Sequence, residues 1–225
     1  MKKFKKIIAM CLTAVMALSV MSIGAFANEN VTPNEEVIVA SAAGNTSVIE
    51  WNTTPSEWAE NDVKVAAEMG ILPQNIAGYI YPIDRENFCD ILYALLCMDG
   101  IIVDQKFDTP FVDVDNVKIS HLYNLGIVKG YEGDKFEPQK RISREETATI
   151  LNRCLEYCRI EASNNTTHEY NDINKFSEWA KESIANLYSL KIMQGDNNNM
   201  FNPQNEITLE ESIIAILRIH NYITN

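Results

Sequence analysis

Lys129, Lys135, Lys140, Arg141 and Arg144 fall within sixteen positions of a chain that is otherwise acidic. The 225 residues hold 19 basic and 31 acidic side chains, for a formal charge of -12. Four of the lysines, Lys2, Lys3, Lys5 and Lys6, lie in the first 27 residues, which carry no acid, so the remainder stands at 15 against 31. Such a surplus of carboxylates repels phosphate backbones, which disfavours nucleic acid as a partner. An anionic ligand must instead be met locally, and the basic cluster is where that can happen. Arg144 and Arg85 each follow a residue able to cap a helix, Ser143 and Asp84, and so stand in the first helical turn. A cation there opposes the helix dipole by up to about 1 kcal/mol, which calls for compensation. Neutralisation by Glu86, or by Glu145 and Glu146, is one explanation. The other is a bound carboxylate, met by the guanidinium together with free helix-terminal N–H groups.

Catalytic chemistry has no comparable support. No nucleophile stands with a base, and the paired acids Glu145-Glu146 and Glu210-Glu211 are explained as helix starts. His121, His168 and His220 form no ligand spacing with the cysteines, so neither a metal nor another cofactor is expected. Cys89 and Cys97 lie eight apart in one apparent helix, about 12 Å along its axis, and cannot pair. Cys154 and Cys158 lie four apart on one face with poor bridge geometry. All four sit among Leu and Ile and read as buried thiols.

The elements that position these residues recur three times. Trp58, Val63, Ala66 and Met69 share their offsets of five, three and three with Val114, Ile119, Leu122 and Leu125, and with Trp179, Ile184, Leu187 and Leu190. That spacing is one apolar face of a helix. Both tryptophans read as core in this pattern, with stacking on a sugar face as their alternative use. Each helix is followed by Gly70-Ile71-Leu72, Gly126-Ile127-Val128 or Lys191-Ile192-Met193, then by Gly130 and Gly195 in the latter two. A loop bearing Tyr81-Pro82, Phe136-Glu137-Pro138 or Phe201-Asn202-Pro203 leads to a second helix start. In two of these, Ser143 with Glu146 and Thr208 with Glu211 have the spacing of a capping box. Tyr131 and Phe136, in the second loop, are expected to be exposed. The repeat distance is 56 and then 65 residues, the difference lying in a polar connector around Asn164-Asn165-Thr166-Thr167. One unit is too small to bury its own stripes, so the three are expected to share a core in one compact all-α domain.

Phe111-Val112-Asp113-Val114, Leu125-Gly126-Ile127-Val128-Lys129-Gly130, Phe136-Glu137-Pro138 and Ile142-Ser143-Arg144-Glu145 together resemble a surface-layer homology (SLH) repeat. The first and third units resemble it more loosely. The resemblance implies a three-repeat, pseudo-threefold helical module that holds exported proteins on the bacterial surface by binding secondary cell-wall polysaccharide, often bearing acidic pyruvyl groups. It implies grooves between repeats, to which the segment matching Ser143, Arg144 and Glu145 contributes. Lys129, Gly130 and Asp113 belong to the same motif, and Asp84, Arg85 and Glu86 are its counterpart in the first unit. The departures are Pro73-Gln74 where the second unit has Lys129-Gly130, and Leu209 at the arginine position of the third. The second unit therefore reads as the intact site, with Arg144 more important than Arg85. Replacing Arg144 is expected to spare the fold, since Ser143 keeps the cap. With the first site altered and the third impaired, a protein-interaction scaffold is the competing reading.

The organisation that follows is a signal segment at 1–27, a flexible tether at 28–53, and repeats at 54–110, 111–171 and 172–225. The signal reading rests on the basic start, an apolar run from Ile7 to about Ile23, and Ala25-Phe26-Ala27 before the cleavage point. An uncleaved anchor is its alternative, and no later stretch is long enough to span a membrane. Cys11 lies too early for a lipoprotein. The partners expected are wall polysaccharide and a protein at the cell surface.

Overall fold

The computed structural model describes residues 54–73, 76–102, 107–162 and 170–224. The signal segment, the tether, Gln74, His168 and the core of the polar connector lie outside the described residues. Among the described residues there are six α-helices: α1 (Glu60–Glu68), α2 (Arg85–Met98), α3 (Val117–Asn124), α4 (Arg144–Tyr157), α5 (Lys181–Ser189) and α6 (Leu209–Thr224). Extended pairing among the described residues is limited to isolated bridges, so the all-α reading stands.

The second helices begin where their capping chemistry places them. Asp84 accepts the Asn87 N–H at 2.8 Å, while Ser143 and Glu146 form a reciprocal capping box. Thr208 and Glu211 make the same exchange at the start of α6. Three buried isoleucines immediately before these caps join the repeats into a ring. Ile83 N–H donates to Ile207 O at 3.0 Å, Ile207 to Ile142 at 3.0 Å, and Ile142 back to Ile83 at 3.3 Å. This cycle relates the repeats by a pseudo-threefold arrangement.

Helix pairing crosses the repeat boundaries. α3 packs on α2, α5 on α4, and α1 closes the circle on α6. The apolar stripes of α2, α4 and α6 meet in one core that includes Phe88, Leu92, Leu95, Leu151, Leu155, Ile213 and Leu217. A carboxylate at the second position of each of these helices latches the next first helix. Glu210 accepts Ser56 N and Oγ at 2.9 and 2.7 Å, and Glu145 accepts Ser177 N and Oγ at 3.1 and 2.8 Å. Glu86 receives Asn116 Nδ2 at 2.9 Å.

Several expectations need correction. Trp58 and Trp179 are 60% and 56% exposed rather than core, because α1 and α5 begin after them and leave their rings outside the helical stripe. Phe136 is buried against Phe111, since Asp113 accepts the N–H groups of Phe136 and Glu137 at 2.8 and 2.9 Å and folds the loop inward. Asp172 holds Phe201 and Asn202 in the same way. Cys89 and Cys154 are buried, Cys158 is half-buried, and Cys97 is exposed at the end of α2; all four thiols are free. Burial pushes the Cys89 thiol up to about 12, which leaves it inert.

Candidate functional site

Arg85, Arg144 and Leu209 open the three second helices, and each one points across the ring into the following repeat. The Arg85 guanidinium donates to Lys129 O at 2.5 Å and lies over the rings of Tyr131 and Phe136, with its carbon 4.8 and 4.6 Å from their centroids. Arg85 is buried, and its Nε has no hydrogen-bond partner. Arg144 donates from Nε to Phe201 O at 2.8 Å, from Nη1 to Glu211 at 2.8 Å and from Nη2 to Gln194 O at 3.1 Å. Leu209 packs beside Pro73, Ile76 and Tyr81 in a groove of about 180 Å³.

This cyclic placement divides what the sequence had grouped. Lys129, Gly130 and Lys140 belong with Arg85, at the junction of the first and second repeats. Arg144 belongs to the next junction, with Gln194 and Gly195. Arg141 points to a third, donating to Pro82 O at 2.7 Å. The single basic cluster of the second unit is therefore spread over three grooves, and the ranking of Arg144 above Arg85 loses the argument from clustering.

Helix-terminal N–H groups are also committed. Those of Arg85 and Glu86 donate to Lys140 O and Pro138 O, those of Arg144 and Glu145 to Asn205 O and Pro203 O, and those of Leu209 and Glu210 to Tyr81 O and Tyr79 O. The third N–H of each helix goes to its cap. Ligand recognition through free helix-terminal donors is thus excluded in this conformation, because the neighbouring repeat supplies the acceptors.

The remaining sequence candidates have structural partners. Ser143 and Asp84 are caps, Glu145 and Glu86 are latches, and Asp113 is a loop clamp. The two backbone hydrogen bonds from Phe136 and Glu137, the first the stronger influence, hold the Asp113 carboxyl below its ordinary value. Gly130 is required for close packing: a Cβ there would collide with the Phe111 ring and lie 2.7 Å from Lys135 O. Gly195 is constrained alike by Tyr170 and Met200 O, at 2.8 and 2.9 Å.

The junction at Arg85 is covered by polar side chains. Lys140 Nζ sits 4.1 Å above the Tyr131 ring centroid and 3.3 Å from Glu146, and the Tyr131 hydroxyl donates to the same carboxylate. Burial pushes the Glu146 carboxyl up, but the Ser143 N–H, the Tyr131 hydroxyl and the Lys140 ammonium outweigh it and hold the group below its usual value.

The junction at Arg144 is open. Trp58, Arg144, Gln194, Gly195, Glu211 and Arg218 line a cleft of about 250 Å³. Its aromatic wall, paired guanidiniums and carbonyl-rich edge suit a sugar with a polar or acidic rim. Sequence reasoning missed Gln194, Glu211 and Arg218 as cleft residues. The available signal was register, since Arg153 and Arg218 each lie nine positions after the residue that opens its helix.

The family model of the S-layer homology domain matches residues 110–148 and 169–211. The chain is 28% identical over 190 residues to an endoglucanase of a Bacillus species, covering 80% of this chain and 20% of that protein. It is 29% identical over 154 residues to a cellulosome-anchoring protein of Acetivibrio thermocellus, covering 64% and 33%. Against the middle cell wall protein of Brevibacillus brevis it is 31% identical over 117 residues, covering 50% and 11%. The chain spans a third or less of each of these relatives. The matched domain is a non-catalytic cell-wall attachment module, and among the described residues no helix is long and apolar enough to cross a membrane. With the matched repeats, the six-helix architecture and the surface-protein relatives in agreement, residues 110–148 and 169–211 are S-layer homology domain repeats, carried by a secreted, cell-surface protein.

Proposed function

We propose that this protein binds acidic secondary cell-wall polysaccharide noncovalently, in the grooves between its repeats. The observation that carries the reading is the open cleft at Arg144, whose guanidinium is held by Gln194 O of the following repeat, with Arg85 held equivalently by Lys129 O at its own junction. Exposed Trp58 adds a ring-sized apolar platform at the open cleft. Pyruvyl groups are the acidic substituent that the family resemblance implies. The division into signal, tether and repeats at 54–110, 111–171 and 172–225 belongs to the same proposal. Lys129, Gly130, Asp84, Glu86, Asp113, Ser143 and Glu145 shape the junctions between repeats, and Arg85 and Arg144 tie each junction together beneath the ligand.

A scaffold that mediates protein–protein interaction is the second reading. It is favoured by the groove at Leu209, which has lost its arginine and is lined by Pro73, Ile76 and Tyr81. Sedimentation of the protein with isolated walls, before and after chemical removal of their polysaccharide, separates the two. Retention only on polysaccharide-bearing walls is expected. Equal retention on stripped walls overturns the glycan reading and leaves the scaffold.

A further inference from the structure

The charge of Arg144 is already met inside the protein. Glu211 stands 2.8 Å from Nη1, and two backbone carbonyls take Nε and Nη2. Arg218 reaches the same cleft from the next turns of α6 and spends one hydrogen bond on Ile192 O, at 2.9 Å. It takes part in none of the ion pairs among the described residues, and its side chain is exposed. Among the described residues, the positive charge of the cleft without an ion-pair partner is therefore that of Arg218.

The internal repeats supply an independent argument. Arg218 lies nine residues after Leu209, Arg153 nine after Arg144, and Ala94 nine after Arg85. Trp58, Trp179 and Val114 precede the first helices that pack on α6, α4 and α2 respectively. Arg144, Arg218 and Trp58 line one cleft, and repeat equivalence assigns Arg85, Arg153 and Trp179 to a second junction. The third has Leu209, Ala94 and Val114. Three positions from different repeats differ together from the other two sets, and at each the third set lacks the charge or the ring. Packing alone gives no reason for the joint difference, since the bonds of Arg144 to Phe201, Gln194 and Glu211 involve neither Trp58 nor Arg218. In the second junction the arginines feel each other: burial lowers the Arg153 pKa, and Arg85 adds to that against the pull of Glu156. Two like charges at one groove are stabilised by an anion between them.

We propose that Arg218 is the acid-reading residue of the cleft, with Arg144 holding the cleft in shape and Trp58 supporting the sugar ring whose acidic substituent Arg218 meets. The inference rests on the glycan-binding reading and names its ligand class as a sugar bearing a carboxylate on one edge. Arg153 with Trp179 is the corresponding pair at the Arg85 junction, and the Leu209 junction does not read acids.

The test uses the mature chain, residues 28–225, with two probes: purified secondary wall polysaccharide, and the same polymer with its carboxylates capped as methyl amides. Arg218→Gln is expected to lose about tenfold or more in affinity for the native polymer and less than about twofold for the capped one. Arg218→Lys, which keeps the charge, is expected to recover part of the loss. Circular dichroism on the same samples checks that α6 is intact. Unchanged affinity of Arg218→Gln, or an equal loss on both polymers, overturns the assignment while wild-type binding keeps the glycan reading. Failure of the wild type to bind either polymer overturns that reading itself.

Discussion

Arg144 illustrates how one side chain serves two ends. Its guanidinium ties α4 to Phe201, Gln194 and Glu211 of the third repeat, so the expectation that its loss spares the fold does not survive the geometry. Arg144→Leu leaves two carbonyls and a carboxylate without their donor. It is expected to cost about 2 to 3 kcal/mol, or roughly 5 to 10 °C in thermal midpoint, together with retention on walls. A melt within about 1 °C of wild type would refute the tie. Glu146 carries the pH dependence at this scale. Its folded pKa lies below the unfolded value, so its contribution is complete above about pH 4.5 and disappears as pH falls through the folded value. Asp113 and Asp196 act in the same direction. Asp99 runs the other way: burial raises it, His220 only partly offsetting this, and its contribution is lost as pH rises through the folded value. Replacing Glu146 by Gln should flatten the fall in denaturant-measured stability below about pH 4.5, and an unchanged slope would contradict the assignment.

At the element scale the repeats solve one problem with different residues. Gly70 and Gly126 end α1 and α3 with φ of 69° and 75°, but Lys191 stands at the same place after α5 with φ of 56°. A side chain in this region costs about 1 kcal/mol or more, whereas glycine adds unfolded-state entropy of similar size. The Lys191 side chain is exposed, so Lys191→Gly is expected to stabilise by up to about 1 kcal/mol, read from the urea midpoint. Destabilisation beyond about 1 kcal/mol would show that the Lys191 side chain makes a stabilising contact in the folded protein. The carboxylates at the second helical position extend the comparison. Glu210 and Glu145 grip Ser56 and Ser177 through both oxygens, while Glu86 uses Asn116, the same latch built with an amide.

For the whole molecule, closure is the governing fact. The first repeat is held by the third through the Ile83–Ile207 hydrogen bond, the Ser56–Glu210 latch and the packing of α1 on α6. Removing residues 172–225 opens the ring, strands the donors of Ile83 and Arg144, and uncovers the core faces of α1, α2 and α4. The truncated chain is expected to lose its cooperative thermal transition. A transition of undiminished sharpness would mean that the first two repeats fold by themselves.

The sequence alone determined whatever acts over a few residues. Periodic apolar positions, capping boxes at Ser143 and Thr208, the cap at Asp84 and the turn at Gly126 identify the helices and their starts, because helical contacts and caps join residues three or four apart. Repetition of the pattern then implied a shared core, which the six helices form. Tertiary structure decided what each element faces. Arg144 and Lys129 lie 15 positions apart in one motif but at different junctions, whereas Arg144 and Trp58 line one cleft across 86 positions. Sequence spacing does not distinguish a groove built within one repeat from a groove built across a closed ring of three. The choice is made by the isoleucine hydrogen bonds and by the seating of each first helix on the preceding second helix, which bury the stripes of all three repeats at once. The same closure consumes the helix-terminal donors, turns Trp58 outward, and leaves Arg218 beside it without an ion-pair partner among the described residues.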